Sequence, residues 1–335
     1  MNAARRPAAA TLHDVARVAG VSLITASRAL SNPSIVSAKT IAKVERAVEE
    51  TGYIPNLLAG SLKSKRSRMV AGIVPALSVS QFLPTVQTLS TALSAQGYQL
   101  ILGQTNYDDA QEEAVLNIMM SRQPDGIVMT GLVQSERVRA RLARAGIPVI
   151  ETWDLSDDPV DVVIGFSHDA VGRATGQYFR DKGYRQVGIA TGSDPRAMMR
   201  HAGFVAAYGE DVPTAVVPAP SSLAAGRRAL AELLTRNPSL DAVCCSSDTL
   251  ASGVLVEAQA RGLRVPEDLA LCGFGNADFA AHTFPSITTI HVDGPEIGRI
   301  AASLILEGHG QAGAPRARIR DLGFALIERE STRQR

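Results

Sequence analysis

A small all-α head carrying a helix-turn-helix, followed by an α/β core of two doubly wound parallel-sheet lobes, is the architecture this 335-residue sequence predicts. Three observations carry it. Three short amphipathic helix patterns with capping residues fill residues 11–51, strand runs alternate with helical stretches from Met69 onward, and charge is divided unevenly between the two parts. Residues 1–68 hold eleven basic side chains against four acidic ones, yet the whole chain carries only +1. A basic head on an acidic body is the electrostatic footprint of a nucleic-acid-binding module joined to something else.

In the head, Thr11 caps a first helix with Asp14 three residues on, and Leu12, Val15, Ala16 and Ala19 share one face. Gly20 supplies the permissive backbone of a tight turn. Ser22 caps a second helix, Leu23–Leu30, which the Asn32-Pro33 turn stops. Ser37 caps a third, with Ile41, Val44, Ala47 and Val48 at helical spacing up to Gly52. Residues 54–68 change character after Pro55 and read as a basic linker with room for about two helical turns.

The body then alternates. Val70–Val74, Gln99–Leu102, Gly126–Met129, Val149–Glu151 and Val162–Ile164 read as buried parallel strands, with helices at Thr85–Gln96 and Gln111–Arg122 between them. A second series has strands at Val187–Ala190, Val216–Val217, Ala242–Cys245 and Leu269–Phe274, and helices at Met198–Tyr208, Gly226–Arg236 and Thr249–Arg261. The tail, Ser331–Arg335, is expected to be disordered.

Several functions find no support. No apolar stretch reaches the ~20 residues of a membrane helix, and Met1–Ala10 lacks the apolar segment of a secretory signal. Cys244, Cys245 and Cys272 lack metal-ligand spacing and read as reduced thiols, the vicinal pair as core packing. The expectation is a soluble cytoplasmic protein without a metal or cofactor. No glycine-rich phosphate loop, nucleophile elbow or zinc motif occurs, and His168 beside Asp169 reads as a loop pair rather than a catalytic dyad. Two lobes without such motifs point to a binding cleft rather than an enzyme.

Residues 11–56, TLHDVARVAGVSLITASRALSNPSIVSAKTIAKVERAVEETGYIPN, resemble the DNA-binding head of the lactose-repressor (LacI/GalR) family almost position for position. The likeness continues through GIPVI, AGF, SDTLASG, VPEDLALCGFGN and PSITTIHVD, stretches similar to the family's periplasmic-binding-protein-like core. Within the family, GYIPN, GIPVIETWD, IGFSH and DLGFAL look closest to the gluconate-utilisation repressors. The resemblance implies a repressor that binds double-stranded operator DNA and responds to a small metabolite. It also implies a homodimer rather than a tetramer, since no heptad tail follows Glu330.

The resemblance divides the chain into a head at 1–56, a hinge at 57–68 and a core at 69–330. Lobe 1 is expected over 69–165 with 293–320, and lobe 2 over 166–292 with 321–330. In the recognition helix, apolar Leu23 and Ile24 at an exposed helix start suit thymine methyls, and Thr25, Ser27 and Arg28 suit base edges or phosphates. Thr11, Ser22, Ser37, Tyr53 and Asn56 would supply neutral backbone contacts. In the hinge, Leu62 matches the leucine that wedges into the minor groove, with Ala59 beside it.

For the effector, Phe82 matches the family's stacking ring and Arg200 the arginine that grips polar ligands. Trp153 is the only tryptophan and could face a sugar. Arg196 and Asp248 are further candidates, though Asp248 also reads as the N-cap of the helix that follows it. Many members carry an aspartate where Gly275 stands, which leaves Asn276 to take that role. Two arginines and one fewer carboxylate suit an anion such as a sugar acid. A neutral sugar or a nucleoside is the alternative effector. A bare solute-binding protein would need an export signal and no basic head, and an α/β enzyme would need motifs the sequence lacks.

Overall fold

The computed structural model describes residues 10–54, 66–209, 211–308 and 318–333, and it divides into two compact units, Met1–Ser67 and Arg68–Arg335. In the first unit, α1 (Leu12–Ala19), α2 (Leu23–Ser31) and α3 (Ala38–Thr51) close around Val15, Ala19, Ala29, Val44 and Ala47. Each helix starts where the sequence places a cap. Ser22 accepts the Thr25 N–H at 3.1 Å and Ser37 the Thr40 N–H at 3.3 Å. At α1 the carboxylate of Asp14 reaches back to the Thr11 N–H at 3.0 Å and its hydroxyl at 2.7 Å. Gly20 ends α1 at φ 66°, the left-handed conformation that turns the chain into α2 within three residues.

The second unit opens with β1 (Met69–Val74), α4 (Leu83–Ser94), β2 (Gln99–Gln104), α5 (Asp109–Ser121), β3 (Gly126–Thr130), α6 (Glu136–Ala143), β4 (Val149–Thr152) and β5 (Val162–Gly165). It continues with α7 (His168–Asp181), β6 (Val187–Gly192), α8 (Pro195–Tyr208), β7 (Thr214–Val217), α9 (Leu223–Arg236), β8 (Ala242–Cys245), α10 (Asp248–Ala260) and β9 (Ala270–Cys272). It closes with β10 (Thr289–His291), α11 (Gly294–Glu307), β11 (Ile319–Asp321) and β12 (Ala325–Ile327). One lobe is a six-stranded parallel sheet ordered β11-β5-β4-β3-β1-β2, and the other a four-stranded parallel sheet ordered β7-β6-β8-β9. β10 and β12 pair antiparallel as a separate ribbon.

Both faces of each sheet are covered, which is why the central strands read as unbroken apolar runs. In the first lobe Val70, Val128, Ile150 and Ile164 pack under α4 and α11, and Ile73, Ile127 and Met129 face α5 and α6. In the second lobe Val243, Leu250, Val254 and Leu271 lie on one side, and Phe179, Ile189, Phe204 and Cys272 on the other.

Two helices begin a turn earlier than expected. Asp194 caps α8 through the Ala197 N–H at 3.1 Å, and Ser222 caps α9 through the Ala225 N–H at 3.2 Å. Helices α6 and α7 end just before Gly146 and Gly183, where the sequence places helix C-caps, and α11 has no counterpart in the sequence reading. The tail was misread in part: Ser331 and Thr332 are fully buried in a 3-10 turn. Ser331 Oγ donates to Leu271 O at 2.6 Å and the Tyr178 and Thr332 hydroxyls meet at 2.7 Å, so contacts distant in sequence order the end of the chain.

Candidate DNA-reading face and ligand cleft

On α2, Ala26 and Ala29 are buried in the head core, while Ile24 is 63% exposed and Leu23, Ser27 and Arg28 are also exposed. Thr25 is half-buried, its N–H and hydroxyl turned to the Ser22 cap. One helix face therefore presents two aliphatic side chains, a hydroxyl and a guanidinium to solvent. This is a surface of the size and chemistry that enters a major groove, with methyl-matching and guanine- or phosphate-matching groups together. Thr11, Ser22 and Ser37 are exposed at helix starts, and Tyr53 packs half-buried on the head core. Asn56, Ala59 and Leu62 lie outside the described residues.

In the second unit, one cleft collects residues from the carboxyl ends of strands in both lobes, as the parallel topology predicts. Val79, Gln81 and Phe82 follow β1, Tyr107 follows β2, Trp153 follows β4 and His168 follows β5. From the other lobe come Asp194, Arg196 and Arg200 after β6, Ala219 and Ser221 after β7, and Ser246 and Ser247 after β8. The enclosed space among them is about 30 Å³, and the cleft opens from there to solvent.

Arg200 is the centre of the cleft. Its Nη1 donates to His168 Nδ1 at 2.8 Å and its Nη2 to Ser246 O at 3.1 Å, and the guanidinium lies 4.0 Å from the Phe274 ring centre. Nε has no partner among the described residues, nor has the buried Nη1 of Arg196, whose guanidinium stands 5.2 Å from the Phe82 ring centre. Burial pulls the Arg200 pKa down to about 10, and Asp194 nearby favours its charge. Asp194 spends one carboxylate oxygen on the α8 cap, and neither arginine is in an ion pair among the described residues. Two guanidinium groups thus face the cleft with donors to spare.

The backbone explains how Arg200 reaches His168. Helices α7 and α8 touch through glycines: a Cβ on Gly172 would sit 2.0 Å from Arg200 O, and one on Gly203 would sit 2.3 Å from Asp169 O. Any larger residue would push the helices apart and separate the two side chains.

The other candidates divide. Phe82 lines the cleft but is only 3% exposed, its ring meeting Trp153 edge-on at 5.1 Å. Trp153 is 1% exposed and its indole N–H donates to Thr85 Oγ1 at 3.0 Å, so it braces the cleft floor rather than offering an open face. Asp248 does not cap α10, because Ser247 does, accepting the Leu250 N–H at 3.2 Å. Asp248 instead is buried, accepting from Thr289 Oγ1 at 2.6 Å and the Ala277 N–H at 2.7 Å, and burial raises its pKa to about 6. The Asn276 side chain points elsewhere, its oxygen taking Arg329 Nη2 at 2.6 Å and its amide meeting His291 Nδ1 at 3.1 Å. Asn276 does not line the arginine cleft, and Asp248 lines the space that adjoins it through Val79, Gln81, Ser221 and Ser247.

Tyr107, His168 and the Ser246–Ser247 pair were missed as cleft residues, and Phe274 as the ring against the Arg200 guanidinium. His168 is not a loop partner of Asp169: it is the first residue of α7 and 3% exposed, whereas Asp169 binds Arg173 at 2.7 Å. Its place in the IGFSH run was the one signal available.

A helix-turn-helix head joined to two parallel α/β lobes with a polar cleft at their strand ends defines a ligand-binding transcriptional regulator. The chain belongs to the lacI family of bacterial regulatory proteins, whose description matches residues 11–56, and residues 177–332 match a periplasmic binding protein-like domain. It is 34% identical to the HTH-type transcriptional regulator GntR of Pseudomonas aeruginosa, over 96% of this chain and 95% of that one. It is 32% identical to the HTH-type transcriptional repressor CytR of Escherichia coli K12, over 99% of each. Among solved structures, a LacI-family regulator from Silicibacter pomeroyi superposes at TM-score 0.90, with 34% identity over 97% of this chain and 100% of that one. The lac repressor dimer bound to operator and an anti-inducer superposes at 0.80, with 25% identity over 96% and 99%. The chain is thus a DNA-binding transcriptional repressor of this family and not an enzyme. Among the described residues no helix is long and apolar enough to cross a membrane.

Proposed function

We propose that this repressor responds to a sugar acid, gluconate or a phosphorylated derivative, held between the lobes by Arg196 and Arg200. The observation that supports this reading is the pair of guanidinium groups, each with one buried N–H-bearing nitrogen unpartnered and neither in an ion pair among the described residues. An anion placed there would satisfy both and add to the partial compensation that Asp194 gives the buried Arg200 cation. Ser221, Ser246, Ser247 and Asp194 on the adjoining wall suit the hydroxyls of a polyol tail. Ligand binding would bias the two lobe arrangements and so alter operator affinity. Leu23, Ile24, Ser27 and Arg28 would read base edges, with Thr11, Ser22, Thr25, Ser37, Tyr53 and Asn56 on the backbone. Ala59 and Leu62 would act in the minor groove.

A homodimer is part of the proposal. Edge strand β2 leaves Ile101 and Leu102 more than a third exposed, and Ile118 on neighbouring α5 is 60% exposed, an apolar strip that suits a second copy. A neutral sugar or nucleoside is the rival effector, which the rings of Phe82 and Tyr107 in the cleft wall would suit. A thermal-shift screen of sugar acids, neutral sugars and nucleosides, run beside operator release, separates the two. Stabilisation by neutral compounds alone would overturn the sugar-acid reading.

A further inference from the structure

We propose that His168 is a positioning residue that ties Arg200, the effector's anchor, to the lobe opposite, one ring nitrogen serving each side. The inference rests on the reading of Arg200 given above.

A guanidinium has only donors, so His168 Nδ1, 2.8 Å from Arg200 Nη1, must be the acceptor. Nε2 therefore carries the proton of the neutral ring and donates to Trp153 O at 3.0 Å. The two neighbours together select one tautomer. Trp153 belongs to the lobe of the six-stranded sheet, and Arg200 stands on α8 in the lobe of the four-stranded sheet. His168 begins α7, three residues past β5, where the chain first passes from one sheet to the other. A single side chain thus bridges the ligand-facing cation and the opposite lobe at the crossover.

The surroundings leave the ring little freedom. His168 is 3% exposed, Phe166 meets it edge-on at 4.6 Å and the Phe274 ring stands 6.3 Å away. Trp153 is a non-glycine residue at φ 64°, a conformation that persists where its surroundings hold it. The Trp153 N–H is bound to Ile164 O at 3.0 Å, its indole to Thr85 and its carbonyl to His168, so His168 supplies one of the three ties. Without the acceptor at Nδ1, Arg200 would keep Ser246 O as its hydrogen-bond partner among the described residues, with the Phe274 ring beneath it, and lose its aim.

The test uses the full-length protein with His168→Asn, His168→Gln and His168→Ala. Asparagine ends near the Nδ1 position and keeps an acceptor for Arg200, whereas glutamine reaches the Nε2 position and keeps a donor for Trp153 O. Trp153 is the only tryptophan, so acrylamide quenching of its fluorescence reads the carbonyl tie without any ligand. Gluconate titration by calorimetry reads the Arg200 tie. The asparagine variant is expected to bind gluconate within about threefold of wild type while Trp153 becomes more quenchable. The glutamine variant is expected to protect Trp153 like wild type while losing about tenfold or more in affinity, the scale of one charged hydrogen bond. Alanine loses both, with thermal melts confirming that each variant folds. Asparagine and glutamine variants that behave alike in both assays, or an alanine variant like wild type, would overturn the proposal. Wild type that binds no gluconate would refute the effector reading instead, leaving the quenching pattern to decide the Trp153 tie.

Discussion

Replacing Arg200 with methionine separates ligand recognition from folding and from DNA binding. In the ligand-free protein the change removes two hydrogen bonds, to His168 Nδ1 and Ser246 O, and a contact with the Phe274 ring. Stranding those two acceptors costs about 1–3 kcal/mol each. The same change also removes a buried cation that is in no ion pair among the described residues and is only partly compensated by Asp194, a relief of about a few kcal/mol in the other direction. The two effects oppose each other, so the variant should melt within a few degrees of wild type. With ligand present nothing offsets the loss: the anion keeps its burial and loses its partner, costing about 2–5 kcal/mol, or roughly thirtyfold to several thousandfold in affinity. At a ligand concentration of about 100 times the wild-type Kd, wild type should gain about 2.7 kcal/mol of stability and the variant at most about 0.9 kcal/mol. Operator affinity without ligand should be unchanged, and because coupling is reciprocal, a ligand that does not bind releases no DNA. Calorimetric titration and operator release in one buffer are the assays. Wild-type ligand affinity in the variant would refute the reasoning, and weakened operator binding in the absence of ligand would show that Arg200 serves the fold.

Operator affinity should fall about a thousandfold between 50 and 200 mM salt, because the basic residues of the head displace counterions from phosphates. A flat profile in a gel-shift or anisotropy titration would contradict the charge argument. Ile24→Asp should leave head stability nearly unchanged, since the side chain is 63% exposed, yet cost about 1–3 kcal/mol of specific binding, read as loss of operator over random DNA. Leu62→Ala should weaken operator binding by a few kcal/mol and reduce DNA bending in a circular-permutation gel, with effector affinity intact. Burial, reinforced by Arg200 and Arg196, holds the folded His168 pKa well below its ordinary 6.5, so only the unfolded chain takes up this proton as pH falls through 6.5. Wild type should therefore lose about 1.4 kcal/mol relative to His168→Gln by pH 5.5, measured by urea unfolding, and equal pH slopes would refute the shift.

The head was legible in the amino-acid order because its determinants are local. Ser22, Ser37, Gly20 and Gly52 act within a few residues of themselves, and the buried positions repeat at helical spacing. The parallel strands were legible for a related reason, since burial on both faces demands unbroken apolar runs such as those of β1 and β3. That the cleft lies at the strand ends followed from topology alone, and Phe82, Trp153, Arg196 and Arg200 do meet there.

What the cleft does with those residues was decided only by the tertiary structure. Nothing within a few residues of Trp153 tells that Thr85, 68 positions away, takes its indole N–H and turns the ring into the floor. Asp248 and Asn276 look like ligand residues until Thr289, Ala277, His291 and Arg329 are brought to them from elsewhere in the chain. Ser331 and Thr332 look like a loose end until Leu271 and Tyr178 receive them. Local order thus set the helices, strands and the basic head through short-range caps, turns and apolar periodicity. Which polar side chains remain free for a ligand depended on hydrogen-bond partners supplied across the fold, and sequence spacing carries no record of those.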